Sequence, residues 1–330
     1  MNLGMVVRTD SGGLGNLCIE TARALQPARI LVVTMAHGGR GETRLDRVRD
    51  AVPDAEVLVC RYPQPGRGAE SLAAQWAAGL DVCWTAETWY WPWLEPAMRR
   101  AGARTVLYAM PELHDWRSDC QQADVVWRPT TWAPTEAWSA VPVLAPGIAL
   151  DRVRYHERGT SEPPTVFHLP APAMADRNGT TAVLAALPLL TRPAIYAEVR
   201  PARDWWDLIP DEADAFLLPR RYAGLSLPIL EAAAAGLAII TTDLPPQNSW
   251  CSGFELIPTA GHVPTHMKGG LIPVARIDPR EVARAVDRLT PDRLAYACQS
   301  ARAWAQSFAW PRIARFWHEA LAEAADPARR

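Results

Sequence analysis

The chain reads as two α/β domains, each a doubly wound parallel sheet, and three observations carry that reading. Short apolar runs of strand length alternate with segments of helical pattern, the alternation lapses in a polar, proline-ended stretch, and it then restarts. Leu3 to Val7 is the first apolar run, and Asn16 to Leu25 is the helix pattern that follows it. Arg29 to Thr34, Glu56 to Cys60, Asp81 to Trp84, Thr105 to Tyr108 and Val125 to Trp127 supply the further strands of an N-terminal domain, residues 1–150. Residues 151–164 read as a hinge linker, because Arg152 to Pro164 is polar and ends in proline. Strands then recur at Thr165 to Leu169, Ala194 to Val199, Ala215 to Leu218 and Leu237 to Thr241. Helix patterns lie between them at Gly179 to Leu190 and Leu227 to Ala235, which builds a second domain over residues 165–300. Pro279 to Leu289 and Asp292 to Ala325 close the chain as helices, and residues 301–330 are expected to pack back on the N-terminal domain.

At 330 residues, each domain has enough chain to bury its own core. An apolar content of 49% against 21% charged residues excludes a disordered chain. The net charge of −2 gives no global attraction to nucleic acid or to an anionic membrane. Lys268 is the only lysine, and a base-composition bias accounts for that without a functional cause. Cys18, Cys60, Cys83, Cys120, Cys251 and Cys298 form no CxxC pair, so zinc-ligand spacing is missing and reduced thiols are expected. No signal sequence is read at Met1, and no apolar stretch reaches the roughly 18 residues of a membrane span. A cytoplasmic protein without membrane insertion, monomeric or weakly dimeric, is the expectation.

Pro219 to Ala232 carries the most chemistry. An apolar run feeds a turn with Pro219 and Gly224 and then an Ala-rich helix ending near Gly236. Strand, loop and helix N-terminus together present backbone amides to an anion. Glu231 lies on that helix, where a carboxylate binds hydroxyls rather than phosphate. Upstream, Asp176-Arg177-Asn178-Gly179 sits between a strand and a helix. Either Arg177 lies across a diphosphate as a bidentate donor, or Asp176 or Asn178 caps the helix and Arg177 is solvated. Near the N-terminus, Ser11-Gly12-Gly13-Leu14-Gly15 follows a strand and opens a helix, as a phosphate-binding turn or as a bare strand–helix turn. The third glycine of GxGxxG is missing and the second strand ends at His37 without an acid, so a dinucleotide cofactor is disfavoured.

Residues 219–243 resemble the signature of retaining glycosyltransferases of family 4, which reads roughly P-S-x-Y-E-G-F-G-L-P-x-x-E-A-x-A-x-G-x-P-V-x-x-x-D. Arg177-Asn178-Gly179 resembles that family's (Lys/Arg)-x-Gly element, and Gly12 to Gly15 its N-terminal glycine loop. The Pro219-Arg220-Arg221-Tyr222 variant and the compact size are similar to enzymes encoded by actinobacterial phages. The resemblance implies a GT-B fold, two Rossmann-like domains facing a central cleft, and in a phage-encoded enzyme a place in the host cytoplasm. It implies a UDP-sugar donor such as UDP-glucose, no metal or other cofactor, and retention at the transferred carbon. Glu231 would take the ribose hydroxyls, Arg177 and Asn178 would lie at the diphosphate, and Gly224, Leu225 and Ser226 would offer amides to phosphate or sugar. Gly12, Gly13 and Gly15 would close on the donor. Ala223 stands where the family has a glutamate, which leaves the identity of the sugar open.

On the acceptor side, Glu112 and His114 follow a strand and should lie at the carboxyl edge of the first sheet, as catalytic candidates or as ordinary loop residues. His168 ends a strand, as a further candidate or as a buried, satisfied imidazole. The stretch Trp84 to Trp93 holds four tryptophans. It reads as core packing or as an acceptor platform with Glu87 and Trp89. The phage resemblance implies a 5-hydroxymethylpyrimidine in DNA as acceptor. Protein- or small-molecule-directed transfer, another GT-B enzyme such as an epimerase or sugar phosphorylase, and a non-catalytic sugar- or nucleic-acid-binding protein are the alternatives.

Overall fold

The structure is a computed structural model describing residues 1–9, 12–35, 45–64, 66–112, 122–157, 163–170, 176–191, 195–197, 209–222, 224–267, 270–326 and 328. The chain divides into two compact units, one formed by Met1–Gly147 with Trp310–Arg330 and the other by Ile148–Met267 with Leu271–Ala309.

The first unit holds a parallel sheet in the order β3-β2-β1-β4-β5-β6. Its strands are β1 (Leu3–Arg8), β2 (Arg29–Met35), β3 (Glu56–Tyr62), β4 (Val82–Ala86), β5 (Arg104–Tyr108) and β6 (Val125–Trp127). All five residues of β4 are buried, as expected for a strand covered on both faces. The chain runs outward from β1 through β2 to β3, then returns to the other side of β1 for β4, so the strand order reverses between β1 and β4. Helices α1 (Gly12–Leu25), α2 (Leu45–Ala51), α3 (Ala69–Ala77), α4 (Leu94–Arg100) and α5 (Glu136–Ser139) belong to this unit. One expectation needs correction here. Gly12 to Gly15 form the first turn of α1 rather than a loop ahead of a helix starting at Asn16. Gly15 fits because its Cα passes close to the backbone of Thr9, where an added Cβ would meet the Thr9 carbonyl at 3.0 Å.

The last helix (Trp310–Ala325) also lies in the first unit, against α1, β4 and β5. Trp317 is fully buried there, with ring centres 5.1 Å from Tyr108 and 6.0 Å from Trp84. Its indole N–H donates to the Ala145 carbonyl at 2.9 Å. Satisfying that one polar atom lets the large ring serve as core.

The second unit's parallel sheet runs β11-β10-β9-β7-β8. The strands are β7 (Thr165–Phe167), β8 (Ile195–Ala197), β9 (Ala215–Leu218), β10 (Ala238–Thr242) and β11 (Glu255–Ile257). Alternate residues of β9 enter two different cores, Phe216 and Leu218 on one face and Ala215 and Leu217 on the other. That period-2 division is the mark of a sheet buried on both sides. Helices α6 (Thr180–Ala186), α7 (Leu227–Ala234), α8 (Pro279–Asp287) and α9 (Pro291–Gln306) cover it. The alanine run Ala232 to Ala235 brings the backbone of α7 close to α9, where Arg302 donates to the Ala234 carbonyl. The Arg302 guanidinium also lies 4.6 Å from the ring centre of Tyr155, which fastens the chain entering this unit. A hairpin of β12 (Thr259–Met267) and β13 (Gly270–Ile277) was not foreseen, since glycine, proline and histidine interrupt its apolar pattern. Here too the order reverses, between β7 and β9.

Cys18, Cys60, Cys83, Cys251 and Cys298 are free, and Cys120 lies outside the described residues. No helix among the described residues is long and apolar enough to cross a membrane.

Candidate functional site

In open parallel sheets, ligands bind beyond the carboxyl ends of the strands where the order reverses. In the second unit that place lies between the segment after β7 and the segment after β9. The first carries His168 and, further on, Asp176 to Gly179; the second carries Pro219 to Ser226. Several bonds tie the two together. Arg220 Nη1 donates to Asn178 Oδ1 at 2.5 Å, and Arg220 Nη2 donates to the Leu225 carbonyl at 3.4 Å. Asn178 Nδ2 donates to the Leu169 carbonyl at 2.8 Å, and the Arg221 N–H donates to the Arg177 carbonyl at 3.0 Å. Asn178 is therefore engaged on both sides of its amide by the protein itself. Arg220 is 6% exposed and was not singled out from the sequence.

Arg177 is half-buried, its guanidinium 5.3 Å from the ring centre of Tyr222. A cation held over an aromatic face is oriented without being neutralised. Asp176 adopts a left-handed backbone with φ of 55° and accepts from the N–H groups of Thr180 at 2.7 Å and Thr181 at 3.1 Å. The carboxylate thus occupies the start of α6. At α7 the situation differs. The side chain of Ser226, the residue before the helix, makes no cap, and its buried hydroxyl has no partner among the described residues. Pro228 in the first turn brings no N–H, and the backbone N–H groups of Leu225 and Ser226 likewise have no hydrogen-bond partner among the described residues. One turn on, Glu231 is 5% exposed. Gly224 is buried, and Ala223 lies outside the described residues. The segment therefore combines backbone amides ahead of α7, an oriented guanidinium and a buried carboxylate, the kinds of group that accept a charged phosphate and a polyhydroxyl ring.

His168 is fully buried with both ring nitrogens engaged. Nδ1 lies 2.8 Å from the Leu217 carbonyl, which can only accept, so Nδ1 carries the proton and Nε2 accepts from Thr180 Oγ1 at 3.0 Å. Burial pushes this imidazole below its ordinary value, while the Leu217 carbonyl and Asp176 act the other way. The ring joins β7, β9 and α6 as a structural element.

In the first unit the corresponding place lies between the segments after β1 and β4. Gly12 and Gly13 are exposed, and a Cβ added to either would meet nothing within 4 Å. Thr9 is fully buried, its hydroxyl without a partner among the described residues. After β4, Glu87 takes a left-handed backbone with φ of 66°, and its N–H donates to the Tyr108 carbonyl at 3.0 Å. Burial pushes the nearby Cys18 thiol up to about 12, with Glu87 adding to the push and Arg8 opposing it. Trp89 is 5% exposed and packs with Trp91 and Leu94 in the core. It also lines a pocket with Thr88, Tyr90 and Gln122. Glu112, beyond β5, is 1% exposed, a buried carboxylate where a loop acid was expected. His114 lies outside the described residues. Among the described residues, no group of three or more His, Cys, Asp and Glu side chains converges.

Two doubly wound parallel sheets, each with its ligand edge at a strand-order reversal, give the chain a GT-B fold. No protein-family model and no curated protein sequence matches it. Solved structures do. Anabaena Alr3699/HepE in complex with UDP-glucose superposes with a TM-score of 0.70 at 15% identity, over 98% of this chain and 100% of that one. The lipopolysaccharide outer core galactosyltransferase WaaB gives 0.66 at 10% identity, over 98% and 99%. Sucrose-phosphate synthase from Thermosynechococcus elongatus gives 0.65 at 13% identity, over 98% of each chain.

Proposed function

We propose that this chain is a glycosyltransferase of the family 4 kind, moving a hexose from a nucleoside diphosphate donor, UDP-glucose or a close relative, to an acceptor hydroxyl. The observation that carries the reading is the second unit's linked pair of loops, where Arg177 lies over Tyr222, together with the uncapped start of α7 and the buried Glu231 on that helix. The complex of HepE with UDP-glucose, a protein of the same fold, supports a nucleotide sugar as the ligand.

In this reading Glu231 accepts hydrogen bonds from the ribose hydroxyls. Arg177 and the amides of Leu225 and Ser226 hold the diphosphate. The bond between the anomeric carbon and the diphosphate oxygen breaks, and the negative charge growing on that oxygen is met by preorganised donors. A bond forms between the anomeric carbon and the acceptor oxygen on the same face, and the departing phosphate takes the hydroxyl proton. The configuration is thereby retained without a protein nucleophile. Charge stabilisation is assigned to Arg177 rather than to a metal ion, and turnover measured in EDTA checks that assignment. Gly12, Gly13 and Gly15 take part in donor binding, and Glu112, His114 and Glu87 are the polar groups assigned to the acceptor side.

The test is UDP release from UDP-glucose by the purified chain, alone and with acceptor panels. Turnover that falls when Arg177 or Glu231 becomes Ala supports the reading. UDP-sugar binding without turnover under every acceptor would make the protein a non-catalytic binder. A 5-hydroxymethylpyrimidine in DNA is the acceptor that the phage resemblance supports, and hydroxymethylated DNA belongs in the panel for that reason.

A further inference from the structure

The segment after β4 is built with unusual care for a connection of seven residues between strand and helix. Two non-glycine residues, Glu87 and Tyr90, take left-handed backbones with φ of 66° and 64°. Each costs on the order of 1–3 kcal/mol, and such strain persists where the surroundings hold it in place. Here the Thr85 hydroxyl donates to the Thr88 carbonyl at 3.1 Å, and the Tyr90 N–H donates to the Thr88 hydroxyl at 3.3 Å. The Trp91 indole N–H donates to the Pro63 carbonyl at 3.0 Å, and the Trp91 ring stacks on Trp93 with centres 5.3 Å apart.

This segment, together with Leu107 and Gln122, lines a half-open pocket of about 200 Å³ at the carboxyl edge of the first sheet, its other walls being chiefly Thr88, Trp89, Tyr90 and Trp91. Pockets for drug-sized ligands run to roughly 300–1,000 Å³, so this volume admits a single ring. Its walls combine aromatic rings with a hydroxyl and an amide. Among the described residues that line it none is cationic, and the preceding residue is Glu87. Nucleic acid is held largely through cationic contacts to phosphate. A neutral ring with one apolar face and a hydroxyl rim suits these walls better.

We propose that this pocket receives one pyranose ring of a neutral carbohydrate acceptor, its apolar face on the aromatic wall and its hydroxyls toward Thr88 and Gln122. The proposal rests on the glycosyl-transfer reading and gives it a substrate class.

The experiment is saturation-transfer NMR on the full chain in the presence of UDP. The probes are methyl α-D-glucopyranoside and maltose in one arm and a single-stranded oligonucleotide carrying 5-hydroxymethylcytosine in the other. The sugars are expected to take up saturation at ring protons, and the oligonucleotide is not. Thr88 is exposed, so Thr88→Trp fills the pocket without disturbing the core, and it should weaken the sugar signal about tenfold, the equivalent of losing one stacked contact. Tyr90→Ala should act in the same direction. Saturation of the oligonucleotide alone, of neither probe, or of sugars equally in wild type and Thr88→Trp would overturn the pocket assignment. Failure of UDP itself to bind would instead sink the donor reading, and the two failures are read separately.

Discussion

At the carboxyl edge of the second sheet, the buried Arg220 guanidinium and Asn178 amide are bonded across two loops and the Glu231 carboxylate is buried on the helix that follows; at the same edge of the first, indoles and a left-handed backbone do the shaping. The charged cluster lies where the strand order of its sheet reverses, whereas the aromatic pocket lies beyond β4 and β5, to one side of the reversal between β1 and β4. The difference lies in what each could hold without reorganising. Fixed cations and the backbone amides at a helix start suit a diphosphate, whose charge must be met by dipoles already in place. A rigid aromatic pocket selects by shape. Under the proposed glycosyl transfer, the charged donor would rest chiefly on the second unit and the acceptor on the first.

Removing Arg177 tests that assignment most severely. Arg177→Ala is expected to lower UDP release from UDP-glucose by about two to three orders of magnitude, the usual cost of deleting one preorganised donor to a developing oxyanion. Because the side chain is half-buried, the thermal midpoint should barely move. Glu231→Gln should raise KM for the donor by about tenfold or more, the worth of a hydrogen bond to a charged group. Turnover unchanged in Arg177→Ala would move the anion site elsewhere.

A second measurement concerns the clamp that joins the two loops. Gly179 has φ of 68°, and an added Cβ would come 2.6 Å from the Pro219 carbonyl. Gly179→Ala therefore combines a left-handed penalty with a backbone collision and should cost about 1–3 kcal/mol in denaturant unfolding. Gly68 in the first unit has φ of 74° but open space around it. Gly68→Ala should cost only the conformational part, about 1 kcal/mol. If the two variants unfold alike, the loops of the second unit are not locked.

Much of this arrangement is legible in the sequence, and the rest fails for definite reasons. Apolar runs locate the strands, because a strand buried on both faces leaves no other pattern. The positions of Arg177, after a strand, and of Glu231, on a helix, are legible. Arg220 is not, because its burial depends on Asn178, 42 residues earlier, and an arginine beside another arginine reads as solvated. Glu112 reads as a loop acid, and only folding buries it. Gly12 to Gly15 read as a loop because glycine disfavours helix interiors, yet at the first turn the penalty is small and the helix begins there. The pocket beside Trp89 needs backbone angles that no residue pattern announces.

The pH dependence of stability separates the two units on a finer scale. His168 is held neutral by burial, with its pKa below the ordinary 6.5. Above that value both folded and unfolded states carry a neutral ring, and His168 adds no slope. Below it the unfolded chain takes up a proton that the folded ring refuses, so stability falls by at most about 1.4 kcal/mol per pH unit until the lowered folded pKa is reached. His168→Gln should flatten that part of the unfolding profile. A profile identical to wild type would show that the ring protonates in the folded state, contrary to its two engaged nitrogens.

The smallest expected effect decides what the N-terminal glycines are for. Gly12 and Gly13 sit in the first turn of α1 with no φ in the left-handed region and nothing within 4 Å of an added Cβ. The fold does not require glycine at either position, since alanine is the better helix former by up to about 1 kcal/mol. Gly12→Ala and Gly13→Ala should therefore leave stability unchanged or raise it by a few tenths of a kcal/mol, as thermal unfolding would show. Gly15→Ala, forced against the Thr9 carbonyl, should lower it. If the first two variants fold normally yet raise KM for UDP-glucose, the space above the helix start is reserved for a ligand, and the first unit shares in holding the donor. If KM is unmoved, α1 begins in a bare turn, and binding of the charged donor belongs to the second unit alone.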